Sequence, residues 1–167
     1  MSKTTNNATI NSVLASAKLS AIRKACNNVA SLSNNASKDD KTLVSALVNA
    51  IQDERHIVEL RDTTSCIMFI RDEHNNVLFN VYDTFRIQFT TQQAQKYKKE
   101  LLKDERFYTF DYKQKQFISA KSKDISDFID LCKYCYKAID ASEKTSATKK
   151  DTSTSATKKE QLQVANK

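Results

Sequence analysis

Three stretches carry residue types that could do chemistry or bind a ligand. Cys132-Lys133-Tyr134-Cys135 is a C-x-x-C. Thiols at this spacing exchange disulfides when they sit at the start of a helix after a strand, where the helix dipole lowers a thiol pKa. Here the pair falls past the middle of an expected helix and gains no such help. Zinc would need two more ligands converging on the pair. Cys26, Cys66, His56 and His74 are distant in sequence and show no paired spacing. The expectation is therefore buried structural cysteines, with no metal and no cofactor.

Asp72-Glu73-His74 places two acids beside an imidazole, a set that could move a proton or hold a divalent ion. It falls in a turn between two expected strands, where polar residues belong without any catalytic role. His56, beside Arg55 near an expected helix end, reads as a surface residue. Asp124, Asp127 and Asp130 head the last helix and complement its dipole. No catalytic residue is assigned, and the chain is expected not to be an enzyme.

The third stretch is Arg106-Phe-Tyr-Thr-Phe-Asp-Tyr-Lys-Gln-Lys-Gln-Phe117, which interleaves rings with cations. On a strand, Tyr108, Phe110 and Tyr112 share one face and Phe107, Thr109 and Asp111 the other. A row of three rings can floor a helix or serve as a stacking platform for unpaired bases. We expect the row to pack beneath the last helix, which needs an apolar floor, with tyrosine edges and lysines left as a basic rim. The candidate nucleic-acid-binding residues are Lys96, Lys99, Lys103, Arg106, Tyr108, Tyr112, Lys113 and Lys115.

The elements that would position these residues follow from apolar periodicity. Ile10, Val13, Leu14, Ala17, Ala21, Ile22, Ala25, Cys26 and Val29 predict a helix over 9–33. Leu43, Val44, Leu47, Val48, Ile51 and Val58 predict a second over 41–60. Strands are expected at 66–70, 77–82 and 85–89, forming a three-stranded antiparallel meander. A helix at 91–103 puts Ala94, Tyr97 and Leu101 on one face and Lys96, Lys99 and Lys103 on the other. Strands at 106–112 and 116–120 make a hairpin. The last helix buries Ile125, Phe128, Ile129, Cys132, Tyr136 and Ile139. The fold class is α+β: two N-terminal helices, a three-stranded antiparallel meander, a helix, a β-hairpin and a C-terminal helix. The expected domain spans 9–140, divided into a helical hairpin at 9–62 and a β-β-β-α-β-β-α part at 63–140. It lies between a disordered 1–8 and a disordered tail at 141–167, where SATKK recurs at 146–150 and 155–159.

Composition narrows the function. Glycine and proline are both absent from the 167 residues. Glycine-dependent phosphate loops, dinucleotide fingerprints and nucleophile elbows are thereby excluded. Every turn must be made by residues such as Asn, Asp, Ser, Lys or His. Every aromatic lies between Phe69 and Tyr136, so the first helices must dock through small side chains. The net charge is +7, from 27 basic and 20 acidic residues; 6 and 3 of these lie in 141–167. That surplus suits a polyanionic partner without demanding one. No apolar run approaches the roughly 18 residues of a membrane span, so no membrane partner is expected. A polar N-terminus and four cysteines without a disulfide pattern point to a reducing cytoplasm, or to a host cytoplasm or virion if the chain is viral.

The chain therefore reads as a small non-enzymatic binding protein. Its first candidate partner is single-stranded nucleic acid or another polyanion, held by the basic-aromatic region 96–115 and the lysine-rich tail. The alternative is a structural or assembly protein of a phage or mobile element. In that reading helices 9–33 and 41–60 mediate contacts with itself or with another protein.

Overall fold

Strand alternation decides the architecture. The computed structural model describes residues 13–14, 17–31, 36–62 and 65–165, with backbone only in 147–165. The expected disordered residues 1–8 and the start of the helix expected over 9–33 lie outside the described residues; within them that helix is interrupted at Lys18, whose backbone is extended, and it ends at Ala30. The elements run α1 (Leu19–Ala30), α2 (Lys38–Ile51), β1 (His56–Leu60), β2 (Cys66–Asp72), β3 (Val77–Tyr82), β4 (Arg86–Phe89), α3 (Thr91–Leu101), β5 (Phe107–Tyr112), β6 (Lys115–Lys121) and α4 (Ile125–Ala165). The class is α+β, as expected. Meander and hairpin are not separate, however. They join in one antiparallel six-stranded sheet of order β1-β2-β3-β4-β6-β5.

The register fixes which residues share a face. Ile118 and Ala120 lie beside Phe89 and Ile87, Ile87 beside Val81, and Val81 and Phe79 beside Met68 and Ile70. All eight are buried. Two bulges enlarge this face, because a bulge turns two successive side chains to one side. Register shifts at Cys66/Met68 and Ile70/Arg71 allow Ile67 and Leu78 to join the core as well. The helices pack against this face. Phe89 meets Tyr97 of α3 at 6.1 Å and Phe79 meets Tyr136 of α4 at 6.1 Å. Phe107 meets Tyr134 of α4 at 5.7 Å, and the Tyr134 hydroxyl donates to the Glu100 carbonyl at 2.7 Å.

The helix expected over 41–60 stops at Ile51, and 56–60 is a strand. Ser37 caps the helix by accepting from the Asp40 N–H at 3.0 Å, so the helix starts at Lys38, three residues ahead of the expected start. Val44, Leu47 and Ile51 turn into the core. Past Gln52, Asp53 starts a turn in which its carboxylate accepts from the Arg55 and His56 N–H groups. Val58 then sits seven residues after Ile51, a spacing that continues a helical stripe by coincidence. The apolar stripes of α1 and α2 belong to the same core as the sheet, through Ile22, Ala25, Cys26, Val44, Leu47 and Ile51.

Helix α4 begins as expected. The Asp124 carboxylate accepts from the Asp127 N–H at 2.8 Å, and Asp127 reaches back to the Lys123 N–H at 2.9 Å. Together the two carboxylates occupy two backbone N–H groups at the entry to the helix. Ser142 is buried, Glu143 pairs with Lys96 at 3.8 Å, and helical backbone continues to Ala165 through a stretch with no glycine or proline to stop it.

Without glycine, side chains must occupy left-handed backbone. Asn75, Phe85, Lys113 and Gln114 all have φ between 50° and 68°. Asn tolerates this well; Phe does not. Such a conformation costs about 1–3 kcal/mol, and burying a Phe side chain returns about 1.5–3 kcal/mol. Phe85 is fully buried edge-on to Phe128 at 5.0 Å, and Ser122 donates to its carbonyl at 3.0 Å. Lys113 and Gln114 have no such compensation. They form the two-residue turn between Tyr112 and Lys115, with positive φ at both positions. Asn-Gly is the preferred pair there. The Lys113→Asn/Gln114→Gly double variant should gain about 1 kcal/mol in chemical denaturation, with an unchanged fold.

Candidate nucleic-acid interface

The second face of the sheet is the site. One cross-strand row runs Glu59–Phe69–Asn80–Gln88–Ser119–Tyr108, each residue directly opposite the next. From Phe69 to Tyr108 it crosses four strand spacings, about 19 Å. Rings stand at both ends and amides lie between. Gln88 is only 8% exposed, and neither its amide nor that of Asn80 has a hydrogen-bond partner among the described residues. Ser119 is committed, donating to the Ile87 carbonyl at 2.7 Å.

Around this row the same face carries more rings and cations. Phe110 stacks on its cross-strand neighbour Phe117 at 5.3 Å, with an interplanar angle of 17°, and Tyr108 lies 6.2 Å from Phe110. Arg61 and Arg71 both lie over Phe69, at 4.6 and 5.6 Å, and Arg86 lies over Tyr82 at 4.7 Å. Lys113 lies over Tyr112 at 5.3 Å. Lys121 sits opposite Arg86 on this face and is exposed. Glu59 is the carboxylate here. Its hydrogen bonds from Arg71 and Arg61 hold its pKa below the usual range despite some desolvation. Cations outnumber it, so the face is positive.

The expected burial of the Tyr108–Phe110–Tyr112 row is overturned. Tyr108 is 44% exposed and Tyr112 60% exposed. The floor beneath α4 is made instead by Phe107 and the inner face of β6, β4 and β3. Alternation had separated the two sets of residues correctly but could not say which set faces inward. Pairing of β4 with β6 decides it, since that pairing puts Phe107 in line with Ala120 and Ile87.

The eight candidate residues divide between the two sides. Tyr108, Tyr112 and Lys115 lie on the open face, with Lys113 at its hairpin tip. Lys96, Lys99 and Lys103 belong to α3, in the helical layer. Lys96 pairs with Glu143 at 3.8 Å and Lys103 with Glu100 at 2.9 Å. Arg106 also belongs to the helical side. It donates to Asp104, Asp127 and Asp130 at 2.7, 2.7 and 2.9 Å. Three carboxylates leave this guanidinium no free charge for a polyanion. It fastens the start of β5 to the first turns of α4. Phe69, Arg61, Arg71, Tyr82, Arg86 and Lys121 were not apparent as a group in the sequence, because they assemble only when six strands align. The visible signal was the polar alternation of β3 and β4.

The other chemical candidates are accounted for by structure. Burial raises the Cys132 and Cys135 thiols well above their usual pKa, and burial takes Cys26 up to about 12. Asp72 accepts from the His74 and Asn76 N–H groups at 2.9 and 2.8 Å, the chemistry of a turn. His56 is not a surface residue. It is 4% exposed, stacks on Tyr136 at 4.0 Å and contacts Asp53 at 2.6 Å through Nδ1. Among the described residues no three His, Cys, Asp or Glu side chains gather where they could hold a metal ion. No helix among them is long and apolar enough to cross a membrane.

No model of a known protein family matches this chain, and neither a curated protein nor a solved structure does.

The Arg106 cluster makes a pH prediction. The guanidinium's hydrogen bonds hold the Asp104 carboxyl below its usual pKa. A depressed carboxyl contributes stability above its unfolded pKa and loses it as pH falls through the folded value. Arg106→Ala should cost about 1–3 kcal/mol at neutral pH. The gap to the parent protein should shrink below the ordinary carboxylate range. Urea midpoints of both proteins across acid pH measure this.

Proposed function

We propose that the open face of the sheet binds single-stranded nucleic acid, without catalysis. The observation that carries this reading is the cross-strand row in which Phe69 and Tyr108 bracket the unpartnered amides of Asn80 and Gln88, flanked by arginines. Exposed rings such as Tyr108 and Tyr112 can stack on unpaired bases, and the half-buried Asn80 amide can pair with a base edge. Arg71, Arg86, Lys115 and Lys121 supply charge for the phosphate backbone around the same surface. A duplex hides its base faces, so the rings favour single strands.

The reading by self-association of the N-terminal helices draws less support. The described apolar stripes of α1 and α2 are spent on the protein's own core.

Binding should weaken with rising salt, with a log–log slope reflecting about 0.7 ions per phosphate contacted. Tyr108→Ala and Phe69→Ala should each cost about 1–3 kcal/mol of affinity for a single-stranded oligonucleotide. Lys99→Ala, on the helical side, should leave affinity unchanged. Fluorescence anisotropy measures all three, with the melting temperature recorded to confirm folding. Equal losses for Lys99→Ala and Tyr108→Ala, or no binding by the parent protein, would reject the proposal.

A further inference from the structure

Strand β5 ends the sheet, paired on one side with β6. Its hairpin closes at Tyr112↔Lys115 around two residues of positive φ. In this two-residue turn geometry the closing pair is hydrogen-bonded. The antiparallel ladder then directs the N–H and C=O groups of Tyr112, Phe110 and Tyr108 toward β6. Those of Asp111, Thr109 and Phe107 point outward. Natural edge strands are blunted by proline, bulges, lysines or a covering element. β5 has no proline or lysine between Phe107 and Tyr112, and its register runs without a shift. Thr109 and Asp111 are exposed. The opposite edge is less available. β1 starts inside the Asp53–His56 bridge and α1 packs along it.

We propose that β5 pairs with β5 of a second copy of this chain, antiparallel about a two-fold axis through Thr109. The sheet then continues across both protomers. The occupant is argued from self-complementarity in this register. Tyr108 falls opposite the partner's Phe110, an aromatic cross-strand pair that occurs twice. Glu105, in the turn just before the strand, and the partner's Lys113, in the turn just past its end, flank the same end of the paired ladder, also twice, and both residues are exposed in the single chain. Phe107 lies opposite the partner's Asp111. The two open faces stay on the same side, so rings and cations form one longer surface. Pairing does not depend on nucleic-acid binding, and its test uses none.

Sedimentation equilibrium of the full chain in the micromolar range should show a monomer–dimer equilibrium. Thr109→Pro removes an outward N–H without removing a bond to β6, and should give a monomer with a retained melting temperature. Lys113→Glu should weaken the dimer about tenfold, and Glu105→Lys/Lys113→Glu should restore it. A parent protein that stays monomeric throughout overturns the proposal and leaves the edge to a strand of another protein. A dimer unaffected by Thr109→Pro also overturns it. If Thr109→Pro fails to fold, the charge exchange decides: failure of the double variant to recover the dimer rejects this register and the pairing with it.

Discussion

A six-stranded antiparallel sheet has two faces, and among the described residues helices cover only one. The covered face takes Phe79, Phe89, Ile87, Ile118, Met68 and Ile70 out of water. At about 25 cal/mol per Å² of apolar surface, side chains of this size supply the main driving force for folding. The remaining face carries Asn80, Gln88, Ser119 and the arginines, of which Gln88 and Ser119 are themselves buried. It also keeps Phe69, Tyr82, Tyr108, Phe110, Tyr112 and Phe117, which a purely solvated face does not need. Those rings are the reason to look for a ligand there.

Lack of glycine and proline shapes the same surface. The hairpin carrying Tyr112 and Lys115 turns through Lys113 and Gln114, both in left-handed backbone. A less favourable turn is accepted, and a cation is placed at the tip beside a ring. Phe85 makes the comparable compromise inside the core, where burial offsets the backbone cost. Arg106 does the joining work on the opposite side. Three aspartates, from the loop before β5 and from α4, converge on it, so its charge holds the molecule together and is not available to a partner.

Much of the fold was legible because local patterns agree with it. The apolar run Cys66–Ile70, the stripe Ala94, Tyr97 and Leu101, and the aspartate-headed last helix each declare their element without long-range information. The misread parts share one cause. Ile51 and Val58 keep helical spacing across a real break, and only pairing of β1 with β2 identifies 56–60 as a strand. Tyr108 and Phe107 alternate, but only pairing of β6 with β4 says which one points inward. His56 looked solvated beside Arg55, yet the turn at Asp53 folds it against Tyr136. Of the site, the β5–β6 hairpin was visible as a cluster in sequence. Phe69, Asn80, Gln88 and Arg86 were not, because they come from three strands.

The most direct test of the open face is a map of contacts at residue resolution. Backbone and side-chain NMR spectra of the full chain would be recorded while a short single-stranded oligonucleotide is added. The account predicts that signals of Phe69, Asn80, Gln88, Tyr108 and Phe110 shift together, while those of Lys96, Lys99 and Lys103 stay in place. Shifts confined to α3, or none at saturating oligonucleotide, would contradict it.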